Sequence, residues 1–234
     1  MPVYNAARYL PESLNSILTQ SFHDFELLVI NDGSTDDSRA ILDACKDPRL
    51  RIVDTPNRGV SSSLRLGMRL ARAPYLARMD ADDVAMPDRL AVQKAVLDSH
   101  PQVVVTHSKV DRINAIGEVV ESDYGDLRDN IETKWLLMWH NAVFHPTVML
   151  RRDVLRQARI NYSKETIIAQ DFELWNRVAM IGDFHMVKEV LLQYRLHNEK
   201  ISRPENAERQ LNVVGRIICD NFARYGVDIH EMIG

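Results

Sequence analysis

The segment FELLVINDGSTDDS, residues 25–38, sets a nearly continuous apolar run against a tight turn and an acidic helix start. A strand with one wet face would alternate, so Phe25 to Ile30 reads as a strand buried on both faces. Gly33 permits the turn, Ser34 can cap, and Asp36 and Asp37 favour the positive end of a following helix that carries Ile41, Leu42 and Cys45. A buried strand running through a turn into a helix is the unit of an α/β sheet.

The same unit recurs on either side. Upstream, Leu10, Leu14, Ile17 and Leu18 fall at helical spacing within residues 7–20. Downstream, LRIV (50–53) predicts a strand, TPNRG (55–59) a loop, residues 60–71 a helix and YLARM (75–79) a further strand. This alternation predicts a mostly parallel central sheet with helices on both faces. In open sheets of that kind ligands gather outside the carboxyl ends of the strands, where NDGS and DADD (80–83) both fall.

The second half is less regular. Residues 87–99 predict a helix opened by Pro87, VVVTHSKV (103–110) a strand, and residues 117–129 a polar loop. A short helix is expected at 134–139, a strand in PTVMLRR (146–152), an amphipathic helix at 169–181, a strand in VLLQYRLH (190–197) and a long helix at 205–225. With no internal repeat or low-complexity linker, a single domain over 1–234 is the economical reading.

Composition excludes several classes. At 45% hydrophobic and 26% charged the chain is globular rather than disordered. A net charge of -4 offers no basic stripe for a phosphate backbone, so no nucleic-acid partner is expected. Cys45 and Cys219 have no metal-ligand spacing and suit a reducing compartment. No apolar run approaches the roughly 18 residues that span a bilayer, which predicts a soluble, cytoplasmic chain.

The acidic cluster at the end of YLARM carries the first chemistry. Asp80, Asp82 and Asp83 would repel one another in a dry pocket unless a counter-charge were present, and a divalent cation is the usual one. Hard oxygen ligands select Mg²⁺ or Mn²⁺. A solvated acidic loop capping the next helix is the alternative. Asp88 reads as a first-turn helix acid with a structural role.

Five segments together, PVYNAARYLPESLNSILTQSFHDFELLVINDGSTDDS, NRG, MDADDVAMPDRL, AQDFELW and YRLHNEKIS, closely resemble glycosyltransferase family 2, the inverting enzymes of the GT-A fold, in order and over nearly the whole chain. The resemblance implies a Rossmann-like nucleotide-diphospho-sugar transferase fold. Residues 1–100 would form a donor-binding half, 101–204 an acceptor half and 205–234 a C-terminal helix. It implies that Pro2, Val3 and Tyr4 contact the donor base, that Asp32 accepts from a uracil imide, and that Asn57, Arg58 and Gly59 lie by the diphosphate and sugar. Asn31 stands where an Asp is commoner.

Asp82 is implied as the metal ligand, with Asp80 toward the ribose or the metal and His197 near the diphosphate or metal. Asp171 is implied as catalytic base, with Gln170 in place of the usual Glu. His145 would shape the acceptor pocket, while Phe172 and Trp175 read as core or pocket wall. The implied reaction moves a sugar from a nucleotide-diphosphate donor, a UDP-sugar, onto a glycan or lipid-linked acceptor in surface-polysaccharide synthesis. The cell compartment expected is the cytoplasm or the inner membrane face, with the C-terminal helix compatible with peripheral membrane contact.

One departure concerns the start. Family members open with a longer apolar strand ending in P-V-Y-N, so a truncated first strand is expected here. Buried neighbours left unpaired would cost about 1 to 3 kcal/mol each, and a poorly soluble or weakly active protein would follow. Two other readings remain: a non-catalytic nucleotide-sugar-binding module, and a nucleotidyltransferase of related fold, though the latter would be expected to show a Gly-rich phosphate loop.

Overall fold

A computed structural model describes residues 1–164, 166, 168–197, 207–224 and 226–227, without side chains for 207–210. Strand β1 (Pro2–Val3), helix α1 (Leu10–Leu18), β2 (Leu27–Asn31), α2 (Ser38–Ala44), β3 (Leu50–Asp54) and α3 (Val60–Leu70) follow in the expected alternation. β1, β2 and β3 form a parallel three-stranded sheet, with Val3 opposite Asn31 and Asn31 opposite Asp54. β2 is buried along almost its whole length, as a strand covered on both faces should be.

A second sheet departs from the mostly parallel expectation. It is built from β4 (Tyr75–Ala77), β5 (Val84–Ala85), β6 (Val103–Ile113), β7 (Val119–Tyr124), β8 (Met149–Arg151) and β9 (Asp183–Arg195). β6 is antiparallel to β7 and β8 and parallel to β9, and β4 is antiparallel to β8. The β6–β7 link is too short for a parallel crossover, so a hairpin results. β7 lies within residues 117–129, expected as loop, because its residues are almost all exposed and show no apolar alternation.

Four helices fall close to expectation, α4 (Arg89–Ser99), α5 (Asn130–Leu136), α7 (Gln170–Val178) and α8 (Ala207–Arg224), whereas α6 (Arg152–Gln157), between α5 and α7, was not expected. α5 starts four residues early because Asp129 and Glu132 form a reciprocal capping box, each side chain accepting from the other's backbone N–H. Ser34 does not cap α2; its hydroxyl accepts from the Asn5 amide instead. Phe172 and Trp175 are fully buried in the larger core, between α7 and the second sheet.

β1 is only two residues long, so it does not cover the length of β2. The Met1 amine donates to the Leu28 carbonyl at 2.9 Å. Between β2 and β4, which share no hydrogen bonds, lies an apolar cleft of about 650 Å³ floored by Leu64 and Met68 of α3.

His107 of β6 is fully buried, and neither ring nitrogen finds a hydrogen-bond partner among the described residues. Burial, then the nearby Arg128 and His185 charges, lower its pKa to about 3. The unfolded ring protonates near pH 6.5, so this site's contribution is full above that pH and is lost as pH falls toward 3. His107→Met should raise stability by about 1 to 3 kcal/mol and flatten the acid side of the stability curve. Urea midpoints at pH 7 and pH 5 measure both effects.

Candidate active site

The carboxyl ends of β1, β2 and β4 open on one cleft of about 1670 Å³. On its nucleotide side, Asn5 takes a left-handed turn (φ 47°) and its side chain accepts from the Thr35 amide at 2.8 Å. Ala6 donates to the Ser38 hydroxyl and Ala7 to Asp36, both at 2.9 Å, so the PVYN and DGSTDDS loops are stitched together. Gly33 at φ 70° completes the turn, and a Cβ there would sit 2.8 Å from the Asn57 amide nitrogen. Only glycine fits both the angle and the approach.

Asp32 is buried at the base of this wall. Its carboxylate accepts from the Arg58 amide at 3.0 Å, the Gly59 amide at 2.8 Å and the Thr55 hydroxyl at 3.1 Å. Three of about four lone-pair sites are therefore used, which ties the NRG turn down and leaves one. Asn57 and Gly59 line the cleft, whereas Arg58 joins through its backbone amide and its side chain is exposed. Asn31 donates to Asp54 at 2.8 Å, a contact in which a second carboxylate would repel.

After β4 the chain turns through Asp80, Asp82 and Asp83, whose nearest carboxylate oxygens lie within 4.8 Å of one another. The protein supplies part of the counter-charge itself. Arg78 forms a two-pronged ion pair with Asp80, one arm at 2.6 Å. Arg195, 1% exposed, holds the loop by its backbone and side chain: its amide donates to Asp83 at 2.9 Å and its Nε to the Asp82 carbonyl at 2.8 Å. A further arm reaches Glu12 at 2.5 Å. His197 Nε2 lies 2.8 Å from Asp82 Oδ2, with its ring 5.0 Å from that of Tyr9. Asp88 stands just before α4 and does not line the cleft, while residues 198–202 of the YRLHNEKIS segment lie outside the described residues.

Lining the same cleft, α7 opens after Ala169, held left-handed at φ 56°, and presents Asp171 in its first turn. Asn141 donates to Asp171 Oδ2 at 2.6 Å. His145 Nδ1 faces the same oxygen at 4.0 Å, while its Nε2 is 2.6 Å from the Tyr162 hydroxyl. Burial raises the Asp171 pKa above the ordinary carboxylate value, against the lowering effects of the Phe172 amide, Asn141 and Arg78. Burial also lowers His145 well below its usual range, so the ring is neutral at pH 7.

Pro2, Val3, Tyr4, Asp32, Asn57, Gly59, Asp80, Asp82, Asp171 and His197 thus share one cleft. Arg78, Arg195, Asn141 and Tyr162 join it, or brace it, without having been singled out from the sequence. Arg195 does sit inside a quoted motif and Arg78 in the YLARM run just before one, but a lone arginine at a strand end has no spacing signature. Nothing local marks Asn141 or Tyr162.

The family model for glycosyl transferase family 2 matches residues 1–159. An uncharacterized glycosyltransferase of Haemophilus influenzae is 30% identical over 250 residues, 97% of this chain and 74% of that protein. Among solved structures, Staphylococcus aureus TarS 1–349 in complex with UDP-GlcNAc superposes with a TM-score of 0.76 at 19% identity, covering 94% of this chain and 64% of TarS 1–349. The mannosyltransferase PcManGT of Pyrobaculum calidifontis, in complex with GDP-Man and Mn²⁺, gives 0.65 at 20% identity, covering 96% of this chain and 62% of its own. These likenesses show the GT-A-like α/β fold; the chain spans less than two thirds of either solved structure.

Proposed function

We propose that this chain, which belongs to glycosyl transferase family 2, moves a sugar from a UDP-sugar to a glycan or lipid-linked acceptor, inverting the anomeric carbon. The observation that carries this reading is that two separate carboxylate sets line one cleft: Asp80 and Asp82, with His197 beside Asp82, and Asp171 from α7. Each set suits one end of a single in-line displacement.

Asp171 is the base. It takes the acceptor hydroxyl's proton as that oxygen bonds to the anomeric carbon. The bond from that carbon to the diphosphate breaks on the opposite face, and its electron pair leaves with the phosphate oxygen. A carboxylate with a raised pKa is a stronger base at neutral pH, and activity falls as pH drops through that pKa.

The residues present fit a divalent cation, because the clustered ligand atoms are hard carboxylate oxygens. Asp82 and Asp80 would hold Mg²⁺ or Mn²⁺, with His197 beside them. Such an ion supplies positive charge that neutralises the departing nucleoside diphosphate. Asp32 keeps one acceptor site for a uracil imide N–H, with Pro2, Val3 and Tyr4 as the base wall and Asn57, Arg58 and Gly59 near the diphosphate. TarS, whose complex holds UDP-GlcNAc, supports the choice of uracil.

Residues 1–100 would serve the donor and 101–204 the acceptor. A glycan acceptor is supported by an Escherichia coli chondroitin synthase, 23% identical over 97% of this chain but matched over only 32% of its own length. Among the described residues no helix is long and apolar enough to cross a membrane. Ile131 and Trp135 are exposed on α5 and Trp139 lies just beyond it, an apolar face consistent with a lipid-linked acceptor or peripheral membrane contact.

A thermal-shift screen of UDP- and GDP-sugars with and without Mn²⁺ tests the donor. A UDP-sugar at a hundredfold excess over its Kd should raise Tm by about 5 °C or more, only with the metal. Stabilisation by GDP-sugars alone would sink the uracil assignment. No response to any nucleotide-sugar would sink the reading as a whole.

A further inference from the structure

We infer that Tyr162, His145 and Asn141 form a positioning array that aims the Asp171 carboxylate, an inference that rests on Asp171 being the base. Asn141 and His145 both address Oδ2, one at 2.6 Å and one at 4.0 Å, so Oδ1 is the oxygen these side chains leave to an acceptor hydroxyl.

The array fixes a tautomer. His145 is 8% exposed and neutral, so one ring nitrogen carries a proton and the other a lone pair. A lone pair turned to a carboxylate would be repelled, which puts the proton on Nδ1. Nε2 is then the acceptor, and the Tyr162 hydroxyl, 2.6 Å away, donates to it. Burial raises the Tyr162 pKa, so the phenol keeps that proton at neutral pH.

A phenol, an imidazole and a carboxylate in sequence hold the ring much as an orienting group holds a catalytic imidazole, with the roles of the ends exchanged. The ring is also packed edge-on against Trp175, with centroids 5.7 Å apart, which limits its rotation. Contacts of this kind are commonly long in an unliganded site and close when the substrate arrives.

The titratable or charged groups facing Asp171 are Arg78 from the end of β4, His145 from the turn before β8 and Tyr162 from the segment before α7; Arg78 is in turn paired with Asp80. Losing an N–H donor to the carboxylate raises its pKa. The acid limb of the pH profile then moves to higher pH.

Tyr162→Phe keeps the buried shape and removes the donor. Asn141→Ala, at an exposed position, removes the hydrogen bond to Oδ2, together with the one Asn141 accepts from the Val143 amide, and leaves the core packing intact. Each should lower kcat about tenfold, the worth of one hydrogen bond, with KM for the UDP-sugar unchanged within about twofold. In each the acid limb should move up. Nitrogen NMR of the nucleotide-free protein gives a readout that needs no turnover: wild type should show His145 as the Nδ1–H tautomer, and Tyr162→Phe should lose that single form.

If Asp171→Asn keeps turnover, the base assignment fails and the array with it. If Asp171→Asn is inactive yet both variants keep the wild-type acid limb, or wild type shows the Nε2–H tautomer, the array alone is overturned.

Discussion

Asp171→Asn should lower sugar transfer by about 10²- to 10⁴-fold, the usual worth of a positioned general base, while leaving UDP-sugar binding unchanged within about twofold. The side chain is isosteric and comes from α7, whereas Asp32 follows β2 and Asp80 and Asp82 follow β4, so the donor's contacts are intact. Asn141 then meets an amide rather than a carboxylate, which costs a charge-assisted hydrogen bond but no core packing. Calorimetric donor titration beside initial rates of UDP release separates the two terms. Loss of binding in step with rate would move Asp171 from base to donor contact.

Asp82→Asn should be nearly as severe, about 10²- to 10³-fold in transfer, and should also abolish the Mn²⁺-dependent rise in Tm with a UDP-sugar. The loop itself should survive. Arg195 grips residue 82 through its carbonyl, not its carboxylate, and Asp83 still accepts from the Arg195 amide. A folded variant with normal Tm in the absence of nucleotide, no metal response and little turnover is therefore the expected set. A variant that still shows the metal response would shift the ligand role to Asp80 or Asp83.

The parallel part of the fold was legible because β2 and β3 are short, largely apolar runs bounded by turn residues, and they reproduce FELLVI and LRIV within two residues. The mixed second sheet was not. β7 is exposed along almost its whole length with no apolar alternation, and the pairing of β4 with β8 joins segments more than 70 residues apart, a contact that local periodicity does not encode. α5 was placed late although its capping signal, Asp129 followed by Glu132, stands in the sequence.

The same division holds in the cleft. Asp80, Asp82, Asp171 and His197 stand in motifs whose order suggested one site, and the structure gathers them there. What holds them was hidden: Arg195 reaches Glu12 from 183 positions away, and His145 meets Tyr162 only because the turn before β8 and the approach to α7 pack together. Bracing contacts of this kind are long-range pairings of ordinary residues.

An inverting displacement with Asp171 as base leaves its mark on the anomeric configuration of the first product. Turnover of an α-linked UDP-sugar that stabilises the protein, with Mn²⁺ and either water or a glycan as acceptor, can be followed by proton NMR before the free sugar equilibrates. The β-anomer should form first, at a rate that collapses in Asp171→Asn. An α-configured first product would contradict inversion.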